Sequence, residues 1–125
     1  MMQRQLFNIS TDTGVWTDSG PSFSGEILQA RYEVITGDTG ADLAIWLQQR
    51  SVDTGNGVLV VNDNDCLGAD FVRAWRQSTH DQSGDAFDTG GDFIEPFVSA
   101  GDHLRVRVTP GGAAVAGRLY IWTRE

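Results

Sequence analysis

Glu26-Ile27-Leu28-Gln29-Ala30-Arg31-Tyr32-Glu33-Val34-Ile35 is the stretch on which the fold turns. Leu28, Ala30, Tyr32 and Val34 alternate with Gln29, Arg31 and Glu33. Successive side chains of a strand point to opposite faces, so a period of two predicts a strand with one face on a core and the other in water. Residues 102–109 repeat the logic, with Leu104, Val106 and Val108 predicted inward and His103, Arg105 and Arg107 outward. In residues 42–48 the same alternation sets Leu43, Ile45 and Leu47 on the core side and Trp46 on the opposite face.

Other apolar segments extend the pattern. Residues 58–61 form a continuous apolar run, as in a strand covered on both faces. Residues 71–75 and 93–98 read as strands, and Pro96 confines the second to an edge or a bulge because it has no N–H to give a ladder. Residues 117–122 close the chain, Leu119 and Ile121 alternating with Arg118, Tyr120 and Trp122. Leu6, Phe7 and Ile9 form either a short edge strand or an N-terminal arm, and residues 110–114 read as a hairpin loop. No segment has helical periodicity, and Gly, Asp, Asn, Ser and Thr clusters divide the segments. The prediction is an all-β, antiparallel β-sandwich, jelly-roll-like, with about eight strands and a short arm over residues 1–9.

Composition bounds the function. The 125 residues suit one domain spanning 1–125, and no apolar stretch approaches a membrane span. The opening residues lack the basic region, apolar run and cleavage site of a signal peptide, so secretory export is not expected. A net charge of −8 argues against nucleic-acid backbones and anionic membranes, leaving protein or sugar as the expected partner. All nine basic residues are Arg, and 13 of the 17 acids are Asp, a bias that suits a chain with many turns. Cys66 is the sole cysteine, which excludes an internal disulfide and reads as a small apolar side chain.

Four Asp-Thr-Gly tripeptides begin at Asp12, Asp38, Asp53 and Asp88. Asp38-Thr39-Gly40-Ala41-Asp42 resembles the catalytic tripeptide of retroviral-type aspartic proteases, in which two carboxylates share a proton. Thr36 and Gly37 stand where that motif needs an apolar strand, and Gly117-Arg118-Leu119 leads into a strand where the family's second marker leads into a helix. Turn chemistry accounts for all four copies: Asp caps backbone N–H groups and Gly supplies positive φ. Asp63-Asn64-Asp65-Cys66-Leu67-Gly68 resembles the start of a calcium loop, but Leu67 and Ala74 occupy positions where ligands are required. A looser site among Asp63, Asp65 and Asp70 is the alternative to an Asx-rich turn. His80 and His103, the two histidines, are near no plausible nucleophile or second ligand: a Ser–His–Asp triad can be drawn on paper within residues 77–85, but adjacency in sequence is not triad geometry. No catalytic residue, metal or cofactor is expected.

The aromatics carry more information. Trp16, Trp46, Trp75 and Trp122 exceed what a small sandwich core readily absorbs. Trp46, Tyr120 and Trp122 fall on faces away from the core, where large aromatics mark contact surfaces; the alternative is a monomer that covers both faces itself.

Phe97-Val98-Ser99-Ala100-Gly101-Asp102-His103-Leu104-Arg105-Val106-Arg107-Val108 and the closing Gly117-Arg118-Leu119-Tyr120-Ile121-Trp122, with a short N-terminal arm, resemble the small jelly-roll decoration (cement) proteins of tailed-phage heads. The resemblance covers roughly residues 24 to 123 and rests on pattern and chain size. It implies a non-enzymatic, homotrimeric protein that clamps the major capsid protein on the outer surface of the virion and is made in the host bacterial cytoplasm. Leu6, Phe7, Trp46, Tyr120 and Trp122 are the expected subunit or capsid contacts. A carbohydrate- or receptor-binding module of a phage tail, with Trp46, Gln48 and Gln49 as its platform, is the rival reading; a tail or neck structural component is a third.

Overall fold

In the computed structural model, which describes residues 2–12, 14–48, 58–74 and 98–125, the alternating segments form strands. They are β1 (Met2–Ser10), β2 (Trp16–Thr36), β3 (Asp42–Gln48), β4 (Val58–Asp63), β5 (Phe71–Ala74), β6 (Val98–Thr109) and β7 (Ala116–Arg124). Every pairing is antiparallel, in the order β1-β7-β2-β6-β3-β4, with β5 added to β2. The fold is all-β and sandwich-like, with no helix among the described residues. Of the two readings of the N-terminal segment, the edge strand holds: β1 ends the strand order and is hydrogen-bonded along its length to β7. The strand predicted over 93–98 lies outside the described residues except for Val98.

β2 joins the two halves of the structure. Its residues 16–26 pair with β6 and its residues 26–36 with β7. Between them sits Gly25 at φ 148°, where a Cβ would strike the Arg124 carbonyl, so glycine is required at the point of exchange. A β-bulge at Leu28 follows, since Ile27 opposes Thr123 while Gln29 opposes Trp122. An extra residue reverses the alternation. Ile27 is therefore buried and Leu28 only half-buried, which corrects the inward placement of Leu28, while Ala30 and Tyr32 are buried as the period predicts. The 110–115 connection is also corrected: β6 and β7 each pair with β2 instead of with each other, so the segment runs from beside Trp16 at the start of β2 to beside Thr36 at its end and is not a hairpin loop.

One apolar cluster unites the halves. Phe7 and Ile9 from β1, Ile27, Ala30 and Tyr32 from β2, Leu43, Ile45 and Leu47 from β3, Leu104, Val106 and Val108 from β6, and Leu119 and Ile121 from β7 all belong to it. Val60 and Val61 are both buried although adjacent, because Val60 is the extra residue of a bulge opposite Ile45 and Trp46. His103 departs from its predicted outward, solvated position. It does lie on the face opposite Leu104, but that face is itself covered at this end of the sheet: His103 and its cross-strand neighbour Gln48 are both buried.

Candidate functional site

Strand register determines which side chains share a surface, because directly opposed residues point to the same side of a sheet. Leu6 opposes Tyr120, Tyr120 opposes Arg31 and Arg31 opposes Val72, so one row crosses β1, β7, β2 and β5. A second row holds Arg4, Trp122 and Gln29, and a third holds Met2, Arg124, Glu26 and Val98. Three of the five expected contact residues, Leu6, Tyr120 and Trp122, thus meet on one outer face. Sequence reasoning missed Met2, Val72 and Val98, exposed at 61%, 52% and 61%, beside Leu6 at 45%. Met2 shares the parity of Leu6 and was legible; the places of Val72 and Val98 depend on long-range pairing.

Side-chain contacts orient the rings of this face. The Arg4 guanidinium lies 4.9 Å from the Tyr120 centroid, a cation–π contact worth about 0.5–1 kcal/mol when exposed. Tyr120 and Trp122 are 5.9 Å apart and tilted by 34°. The Tyr120 hydroxyl donates to Glu33 at 3.5 Å, and Glu33 also receives Arg31 at 3.3 Å and Arg118 at 4.0 Å. Arg124 meets Glu26 at 3.1 Å. Such exposed ion pairs add little stability, so their effect is to hold the surface in one arrangement. With Arg4, Arg31, Arg118 and Arg124 against Glu26 and Glu33, the face is locally basic on a chain of net charge −8.

Phe7 and Trp46 lie elsewhere. Phe7 follows Leu6 and so points the other way, into the core, with 2% of its surface exposed; the structure corrects its expected role as a contact residue. Trp46 stands on β3 opposite Arg105 of β6, on a different face, with the Arg107 guanidinium 4.8 Å from its ring centroid. Trp46, Gln48, Arg105 and Arg107 line a cleft there. Gln49, Trp75 and His80 lie outside the described residues.

The Asp-rich turns hold the backbone together at one end of the strands. Asp38 accepts from the Gly40 N–H through Oδ1 at 2.9 Å, and from Gly111 and Ala113 through Oδ2 at 2.9 and 3.2 Å. The Gly40 bond, followed by those of Ala113 and Gly111, outweighs desolvation and holds this carboxyl below the usual range. Its two oxygens are thus engaged in capping a turn and fastening the 110–115 connection. Asp42 accepts from Asp65 N–H at 2.9 Å, and Asp70 accepts from Val34 N–H at 2.7 Å. Asp65 adopts φ 55°, a left-handed turn position that Asp tolerates. The half-buried Cys66 packs on the core, its Sγ 3.6 Å from the Asp63 carbonyl. Among the described residues no three His, Cys, Asp or Glu side chains gather as a metal site. Asp53 and Asp88, which open two further tripeptides, lie outside the described residues. No protein-family model and no curated protein matches the chain.

Proposed function

We propose that the protein is a non-enzymatic binding and assembly protein of the phage-head decoration kind, a homotrimer that uses the outer face of β1, β7, β2 and β5 against its own copies and the major capsid protein. The observation that carries this reading is the gathering of Leu6, Tyr120 and Trp122 with Met2, Val72 and Val98 on one sheet face. Exposed apolar side chains grouped around oriented aromatics are what association surfaces need, whereas scattered ones are ordinary. Charge supports self-association in particular. A basic face on an acidic chain attracts a different, acidic surface of the next copy, and such head-to-tail contacts form a ring when a threefold rotation relates the copies. The resemblance to small decoration proteins supplies the shell as partner, the outer capsid surface as location and a jelly-roll description of the sandwich.

The test combines sedimentation equilibrium with co-sedimentation on expanded phage heads that lack their decoration protein. A trimer that binds the heads and raises their heat resistance is expected. A monomer that leaves them bare would refute the proposal. Electron microscopy of the native assembly distinguishes a head position from a tail or neck position.

A further inference from the structure

We infer that the outer face of β1, β7, β2 and β5 receives the turn end of a second copy of this chain, the end where the β1–β2, β2–β3, β4–β5 and β6–β7 connections gather. The inference rests on the self-association proposed above and names the surface that the basic face meets. Backbone bonds fasten the four connections to one another. The Thr11 N–H donates to the Val115 carbonyl at 2.8 Å, the Asp38 N–H to Leu67 at 3.4 Å and the Cys66 N–H to Ala41 at 3.0 Å. Asp38 ties Gly111 and Ala113 to its own turn, and Asp42 accepts from the Asp65 N–H. One continuous surface therefore carries Asp12, Asp38, Asp42, Asp63, Asp65 and Asp70, while residues 11–15, 35–42, 63–70 and 109–117 contain no Arg, Lys or His. Arg107, next along β6, lies against Trp46, 4.8 Å from its ring centroid.

The chain thus separates its charge between two surfaces. On the outer face Arg4, Arg31, Arg118 and Arg124 are all exposed. Arg4 stacks on the Tyr120 ring and makes no ion pair among the described residues, while Arg31 and Arg118 divide one carboxylate, that of Glu33. Guanidinium groups so placed suit carboxylates of another molecule, which they bind through paired N–H groups. The turn end presents carboxylates already held in place. Asp70, exposed, accepts the Val34 N–H through Oδ1, which leaves Oδ2 for a guanidinium and little side-chain freedom to lose on contact. Apolar groups match as well. Val15 and Ile35, 59% and 60% exposed, stand uncovered at the turn end as Met2, Leu6, Val72 and Val98 do on the outer face. A contact between the two surfaces covers both sets, whereas two outer faces set against each other would oppose arginines to arginines. Strand ends and a sheet side point in directions that differ without being opposite, so a repeated contact turns back toward a ring.

Charge reversal on each surface, alone and together, tests this by sedimentation equilibrium of the full-length protein. Arg4→Glu with Arg31→Glu alters the face. Asp12→Arg with Asp65→Asn alters the turn end, Asn being tolerated in the left-handed conformation of residue 65. Each pair should weaken association at least about tenfold with unchanged circular dichroism, and all four changes in one chain should restore it to within a few-fold of the parent, because the two surfaces are then complementary again with signs exchanged. The parent itself should associate at least about tenfold more weakly in about 1 M than in about 0.1 M salt, as the Debye length falls from about 10 Å to about 3 Å. A parent that is monomeric throughout would overturn the self-association and this inference with it. A parent trimer indifferent to salt, a turn-end pair without effect, or a four-change chain that stays dissociated would overturn this inference alone and leave the face to meet some other surface. The salt comparison uses the unaltered protein, so it decides the matter even if a variant fails to fold.

Discussion

Tyr32 is fully buried among core residues, its ring stacked 5.4 Å from Phe71, and its hydroxyl has no hydrogen-bond partner among the described residues. The hydroxyl lies over Gly117 of the neighbouring strand, where any Cβ would land on the Tyr32 ring and oxygen. Glycine at 117 is thus a packing requirement, and Gly117→Ala should destabilise the fold by about 1–3 kcal/mol in urea denaturation, the cost of overpacking. Tyr32→Phe should behave in the opposite way. Removing a buried hydroxyl that makes no bond relieves its desolvation, so the variant should be as stable as the parent or more so by up to about 1 kcal/mol. The same environment sets a pH response. Burial first, then the nearby Cys66 and Asp70, pushes the Tyr32 hydroxyl up to about 12. Its folded-state value exceeds the unfolded value of about 10, so this stabilisation is complete below pH ~10 and is lost as pH rises toward 12. Parallel urea titrations across that window should show the parent losing stability faster than Tyr32→Phe; parallel curves would contradict the burial of a neutral hydroxyl.

Among the connecting elements, the segment between β6 and β7 is held by an acid that sequence reasoning first compared with a catalytic one. Asp38 binds N–H groups of its own turn and of the distant 110–115 segment, and Gly111 lies so close to the Gly40 backbone that a Cβ would collide with it. Gly111→Ala should therefore loosen both segments, seen as faster amide exchange at Gly40 and Ala113. Because the folded Asp38 carboxyl is held low, its contribution is fully present above the unfolded value of ~3.9 and fades as pH falls through the lower folded one. Asp38→Asn should be less stable than the parent at neutral pH, and the gap should close on acidification; a constant gap would contradict the charge-dependent cap. The strands themselves were largely legible. Alternation identified Leu43, Ile45 and Leu47, the 104–108 series, and Leu119 with Ile121, because each lies in a run of regular pleat. It failed at Leu28 and at the β6–β7 connection for one reason: a bulge and a strand exchange change parity and partner without leaving any mark in hydrophobic periodicity.

For the whole molecule, the contrast between two adjacent residues separates fold from assembly. The sequence marked Leu6 and Phe7 alike, since neighbouring apolar residues on a short segment carry no sign of which face each takes. Pairing of β1 with β7 resolves it: Phe7 turns to the core and Leu6 joins Tyr120 on the outer face. Trp46 was placed correctly off the core, yet which off-core face it shared could not be read without the strand order. Phe7→Ala should cost about 3–5 kcal/mol of folding stability through lost burial and the cavity left behind. Leu6→Glu alters an exposed edge position and should change monomer stability by no more than about 0.5 kcal/mol. Its effect belongs to association. A carboxylate placed beside half-buried Tyr120 and exposed Met2 would have to be desolvated wherever this face is covered, at a cost that a rim position escapes. On the proposed trimeric assembly, sedimentation equilibrium should therefore show Leu6→Glu shifted toward monomer relative to the parent at equal concentration, with the same thermal midpoint in the dissociated state. A trimer that forms with undiminished affinity would move the contact away from the β1, β7, β2 and β5 face.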